Sequence, residues 1–115
     1  MIRRKEECRT EIREHMRGGD GSVIIENLFE KEELLGHSRM FSRIILEPGC
    51  SVGMHGHEGE EELFYIIKGD PLYYDDDKEV QLHEGDVTIC EDGHSHSICN
   101  RTDETIYVVA CIILK

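Results

Sequence analysis

Punctuation constrains this chain more than any other feature. From residue 37 onward, short β-branched and apolar stretches are each cut by a glycine or acidic turn before a helical period can build up. His37–Leu46 stops at Glu47-Pro48-Gly49, and Leu63–Lys68 stops at Gly69-Asp70-Pro71. Leu72–Tyr74 runs into Asp75-Asp76-Asp77, and Glu79–Leu82 returns. Asp86–Cys90 is ended by Glu91-Asp92-Gly93, after which Ser95–Cys99 and Thr105–Leu114 complete the series. Upstream, Ser22–Glu26 holds the run Val23-Ile24-Ile25, and Asn27–Gly36 has room for one helical turn. The first twenty residues stay open: Cys8, Thr10 and Ile12 alternate as in a strand, while Ile12 and Met16 share a helical spacing. Many short strands with turn signals between them predict an all-β sandwich or barrel.

At 115 residues the chain has the size of one domain. Residues 1–36 are expected to form an N-terminal segment of that domain with a short strand and a turn, and residues 37–115 its barrel. A net charge of −12 works against nucleic acid and against an anionic membrane surface, both of which reward clustered cations. The charge is uneven, with six Lys/Arg against five Asp/Glu in residues 1–20 and acidic clusters at 30–33, 58–62 and 75–77. No apolar run approaches the ~18 residues of a membrane span, and the first residues lack the apolar stretch of a secretory signal, so a cytoplasmic protein is expected. The five cysteines form no C-x-x-C pair and are expected to be reduced packing residues.

Histidines and glutamates carry the chemistry. His55-Gly56-His57 puts two imidazoles at alternate positions, which on a strand point the same way. Glu60, Glu61 and Glu62 are each placed to add a carboxylate from the next strand. Glu62 would share a face with Phe64 and Ile66, Glu61 with Leu63 and Tyr65, and periodicity alone leaves both open. His94 and His96 follow the Gly93 turn, again at alternate positions. His15, His37 and His83 read as surface or hydrogen-bonded residues. Imidazoles plus one carboxylate suit one divalent transition metal: Mn, Fe, Co, Ni, Cu or Zn.

Two spacings carry a family resemblance. Gly49, five residues, His55-Gly56-His57, four residues, Glu62, six residues and Gly69 match the first cupin signature in every fixed position. Gly85, five residues, Glu91-Asp92-Gly93, two residues, His96, three residues and Asn100 match the second, with Glu91 where the family usually has Pro. Over residues 37–114 the chain resembles a small single-domain cupin of the type-2, jelly-roll group. The resemblance implies an antiparallel double-stranded β-helix, the metal ligands His55, His57, Glu62 and His96, and a homodimer. It places Gly49, Gly69, Gly85 and Gly93 at turns of positive φ. It leaves Glu60 and Glu61 outside the metal's reach. Without the proline, the turn before His96 is expected to be looser. His94 reads as a loop histidine at the barrel mouth or, more sharply, as a hydrogen-bond partner of the ligands or an acid/base.

Four protein ligands on a six-coordinate ion would leave room for a small oxygenated ligand inside the barrel. That suits an oxygenase, a decarboxylase or a sugar or keto-acid isomerase; a non-catalytic sensor or storage module is the contrasting reading. Phe64, Ile66 and Ile98, with Met54, Tyr73 and Tyr74, are the candidate lining. Arg39 and Arg43, at i and i+4, are the only cations close to the motifs and read as outer-strand surface residues. Ser22–Glu26 and Thr105–Leu114 carry apolar residues on both faces, which also favours a second subunit as cover.

Overall fold

The computed structural model describes residues 1–115, and ten strands account for most of them. They are β1 (Arg9–Glu14), β2 (Ser22–Phe29), β3 (Ser38–Leu46), β4 (Ser51–Gly56), β5 (Glu60–Lys68), β6 (Leu72–Asp75), β7 (Lys78–Gln81), β8 (Val87–Cys90), β9 (Ser95–Cys99) and β10 (Ile106–Leu114). The segment after β2 forms a single short helical turn at Lys31–Glu33, as its length allowed.

The strands build two antiparallel sheets, one in the order β1-β2-β3-β10-β5-β8 and the other β4-β9-β6-β7. The all-β jelly roll expected from the sequence is therefore the fold. β10 is the spine of the larger sheet, paired with β3 on one side and β5 on the other. Its alternation buries Ile106, Val108, Ala110 and Ile112; the first three join the core with Val52 and Ile98 of the smaller sheet, and Ile112 lines the cavity. Fully burying one such side chain, as for Ile66, is worth about 1.5–3 kcal/mol.

Turn chemistry agrees with the spacing. Gly49, Gly69, Gly85 and Gly93 have φ of 81°, 97°, 90° and 88°, a region that bulkier residues enter at a cost. Gly69 is doubly constrained, because a Cβ there would lie 2.6 Å from Ile106 Cγ1.

The N-terminal residues join the larger sheet. β1 pairs with β2 from Arg9 opposite Asn27 to Glu14 opposite Ser22. The alternation of residues 8–12 was thus a strand signal, although Ile12 points outward and is exposed. The opposite face of β1 carries Arg9, Glu11 and Arg13 to a cavity between the sheets.

Candidate metal centre

Four ligand-type side chains converge between the sheets. His55 lies on β4, His57 one residue past its end, Glu62 on β5 and His96 on β9. Strand register brings them together: His55 is directly opposite His96 across the β4–β9 pair, and Glu62 opposes Ile112 of the spine strand. One ligand atom from each lies within 4.8 Å of the others. The parity question resolves toward Glu62, which is buried with Phe64 and Ile66 on the inner face, while Tyr65 of the alternate face is exposed.

Each imidazole is held by its far nitrogen. His55 Nδ1 is 2.7 Å from the Gly53 carbonyl, and His57 Nδ1 is 2.6 Å from Glu60 Oε2. Neither acceptor has a hydrogen of its own, so both Nδ1 atoms carry the proton and donate it. His96 Nδ1 meets the Tyr73 hydroxyl at 2.7 Å. The Nε2 atoms turn inward. Those of His57 and His96 are 3.1 Å apart, and Glu62 Oε1 lies 3.0 Å and 2.9 Å from them and 3.6 Å from His55 Nε2.

Such a cluster of lone pairs needs a positive charge at its centre. Burial opposes ionisation of Glu62, yet the His55, His57 and His96 rings that face it overcome this and hold the carboxyl well below its usual range. The bond to Glu62 raises the pKa of His57, whereas burial lowers that of His96. A divalent cation would be shared by all four side chains and satisfy their inward lone pairs. The donor set of three neutral imidazoles and one carboxylate fits a first-row transition ion.

Around the cluster, the structure places some expected residues and corrects others. Phe64 lines the cavity and stacks on His96, with ring centroids 5.1 Å apart. Tyr73 reaches the cluster through His96, while Ile66 and Ile98 are plain core. Met54 is exposed, and Tyr74 bonds to Glu79 away from the site. His94 stays outside the cavity: it is exposed and bonded through Nδ1 to Asp76 Oδ2 at 2.8 Å. It holds none of the four cluster side chains, so the acid/base expectation has no geometric support. The turn before His96 is tied by hydrogen bonds on both sides. Gly93 N–H donates to the His57 carbonyl at 2.8 Å, and Gly59 N–H donates to Asp92 Oδ1 at 2.7 Å. The five cysteines are free, and only Cys90 is fully buried.

Glu60 and Arg39 were both candidates from the sequence, but their pairing behind His57 was not foreseen. Arg39 grips Glu60 at 2.7 Å and 2.8 Å, and this draws the Glu60 carboxyl down to about 2. Arg39 was expected on the same face as Arg43. A bulge intervenes, since Met40 pairs with Ile112 and Ser38 with Ile113, leaving Arg39 as the extra residue and turning it toward the cavity. Arg43 instead pairs with Glu26 at 2.7 Å on the neighbouring strand.

A family model described as "Cupin domain" matches residues 42–113. The chain is 41% identical over 114 residues to a Thermotoga maritima protein named "Oxalate-binding protein", covering 99% of this chain and 94% of that one. A crystal structure from Thermotoga maritima, described as "a predicted oxalate decarboxylase", superposes with a TM-score of 0.95 at 41% identity and full coverage of both chains. The cupin domain of an XRE family transcriptional regulator from Enterobacter cloacae aligns over 81% of this chain and 97% of that one, with a TM-score of 0.69 at 19% identity, and shares the fold.

Proposed function

The chain belongs to the cupin family, and on that footing we propose that it holds one divalent transition metal through His55, His57, Glu62 and His96 and uses it to bind a small dicarboxylic acid of the oxalate class. The convergence of three Nε2 atoms on Glu62 Oε1, with every Nδ1 already engaged, carries the metal half of the reading. The ion would supply Lewis-acid attraction for paired oxygens, and four protein donors leave a six-coordinate ion two positions for a ligand.

Cavity size and lining support the ligand half. About 160 Å³ is open beside the cluster, well below the ~300–1,000 Å³ of pockets for larger ligands. The cavity wall combines Ile25, Ile44, Val52 and Phe64 with the cations Arg9, Arg13, Arg17 and Arg39, a lining that suits a compact anionic chelator. The Thermotoga maritima relative's name points the same way.

Binding is favoured over turnover. A decarboxylase or isomerase needs a group free to move a proton beside the ligand. Here Glu60 is tied to Arg39 and His57, Glu11 and Glu30 are tied to Arg9, and His94 faces elsewhere. Calorimetric titration of oxalate into matched metal-loaded and metal-free protein tests the proposal. Binding to the loaded form alone is expected, and equal behaviour of the two forms would refute it.

A homodimer belongs to the same proposal. Tyr65, Ile67, Val87, Ile89 and Ile113 are exposed on β5, β8 and β10, and a second copy is the cover we propose for this apolar face. Light scattering should give twice the chain mass at tens of micromolar; a monomer would contradict it.

A further inference from the structure

Beyond the four-residue cluster, the cavity is lined in part by the N-terminal segment, and its lining carries more cations than carboxylates, against the balance of the chain as a whole. Arg9, Arg13, Arg17, Lys31 and Arg39 all line the cavity in a chain of net charge −12. Most of these cations are neutralised locally. Arg9 pairs with Glu30 and Glu11, Arg13 with Glu11, and Arg39 with Glu60. Arg17 and Lys31 make no ion pair, and of the two only Arg17 carries a planar fork of donors.

The backbone holds Arg17 firmly. His15 and Arg17 adopt left-handed φ of 50° and 55° in a tight turn closed by Gly18 N–H to the His15 carbonyl at 2.9 Å. Asp20 and Ser51 then exchange two hydrogen bonds, Asp20 N–H to Ser51 Oγ at 2.8 Å and Ser51 N–H to the Asp20 carbonyl at 2.9 Å. Between them the turn lies on β4 backbone to backbone. A Cβ on Gly53 would collide with the Arg17 carbonyl, and one on Gly19 would collide with the Ser51 carbonyl. Gly53 is also the residue whose carbonyl orients His55. The backbone of the unpaired arginine and the ring of His55 thus both rest on Gly53, while the Arg17 side chain itself is exposed.

We infer that Arg17 is the anion-reading residue of this site, gripping the two oxygens of a bound dicarboxylate that face away from the metal. The inference rests on the dicarboxylate reading above. A dicarboxylate that gives one oxygen of each carboxylate to a metal presents its other two side by side, and a guanidinium matches that pair with two parallel N–H donors. An acid with a single carboxylate has no such pair. Arg17 would therefore select for the doubly charged ligand, while Lys31 would add only a diffuse, salt-screened attraction.

Titration of Mn(II)-loaded protein with oxalate and with glycolate, which chelates through one carboxylate and one hydroxyl, tests this. Arg17→Gln should weaken oxalate about tenfold and glycolate by no more than about threefold, with metal content unchanged. Arg17→Lys should recover part of the oxalate affinity. Lys31→Gln should have a small effect that vanishes near ~1 M salt. Unchanged oxalate affinity in Arg17→Gln, or an equal loss for both ligands, would overturn the role of Arg17 and leave the dicarboxylate reading standing. No difference between loaded and metal-free wild-type protein toward oxalate would overturn both.

Discussion

His57 Nδ1 lies 2.6 Å from Glu60 Oε2, and the same carboxylate takes two hydrogen bonds from Arg39. The chain Arg39–Glu60–His57 fixes the ring so that its Nε2 faces Glu62 and His96. It also raises the basicity of that nitrogen, because a carboxylate behind an imidazole offsets the positive charge that a metal draws onto it.

Glu60→Gln should therefore weaken metal affinity by about 10–100-fold, although Glu60 itself is not among the four proposed ligands. Arg39→Gln should act in the same direction by a smaller factor, since Glu60 would lose its anchor and keep its charge. Glu61→Gln should leave affinity unchanged. Competition against a chromophoric chelator measures all three, and wild-type affinity in Glu60→Gln would show that the ring needs no such support.

Gly53→Ala tests the seating of the N-terminal turn. The new methyl group would meet the Arg17 carbonyl, so β4 and the turn must part. A loss of about 1–3 kcal/mol in urea unfolding is expected, typical of overpacking at a close contact. Unchanged stability would mean that the turn is not packed on β4 as described.

Acid stability should depend on a pair far from the centre. Hydrogen bonds from Arg3, with support from the Glu30 backbone, lower the Glu33 carboxyl from 4.5 to about 2. A depressed carboxyl stabilises the fold above its unfolded pKa, and that contribution is lost as pH falls through the folded value. The gap in melting temperature between wild type and Glu33→Gln should accordingly shrink between pH 4.5 and about 2. Because the pair is exposed, the gap should also shrink in high salt. A gap independent of pH would contradict the assignment.

Much of the site could be read from spacing because its parts are local. His55 and His57 need only the two-residue period of a strand, and the glycines mark turns that fix where Glu62 and His96 re-enter the barrel. Periodicity left Glu61 and Glu62 open; the spacing from His57 and to Gly69 in the family signature pointed to Glu62, and the pleat buries Glu62 on the inner face. Arg39 was illegible because a bulge, set by how β3 pairs with β10, reverses its face. Tyr73 and Glu60 were legible as residues but not as partners, since the far side of an imidazole leaves no mark on spacing. The N-terminal turn was hidden for another reason: its contact with Gly53 joins segments more than thirty positions apart and involves two glycines that alone resemble loop filler.

Metal content tests the central claim most directly. Protein purified without added metal or chelator should carry about one divalent ion per chain by elemental analysis, in wild type and in Glu61→Gln alike. His55→Ala, His57→Ala, His96→Ala and Glu62→Gln should each lose most of it while circular dichroism still reports a β fold. Wild-type metal content in those four variants, or equal loss in Glu61→Gln and Glu62→Gln, would contradict the assignment of His55, His57, Glu62 and His96 as the metal's ligands.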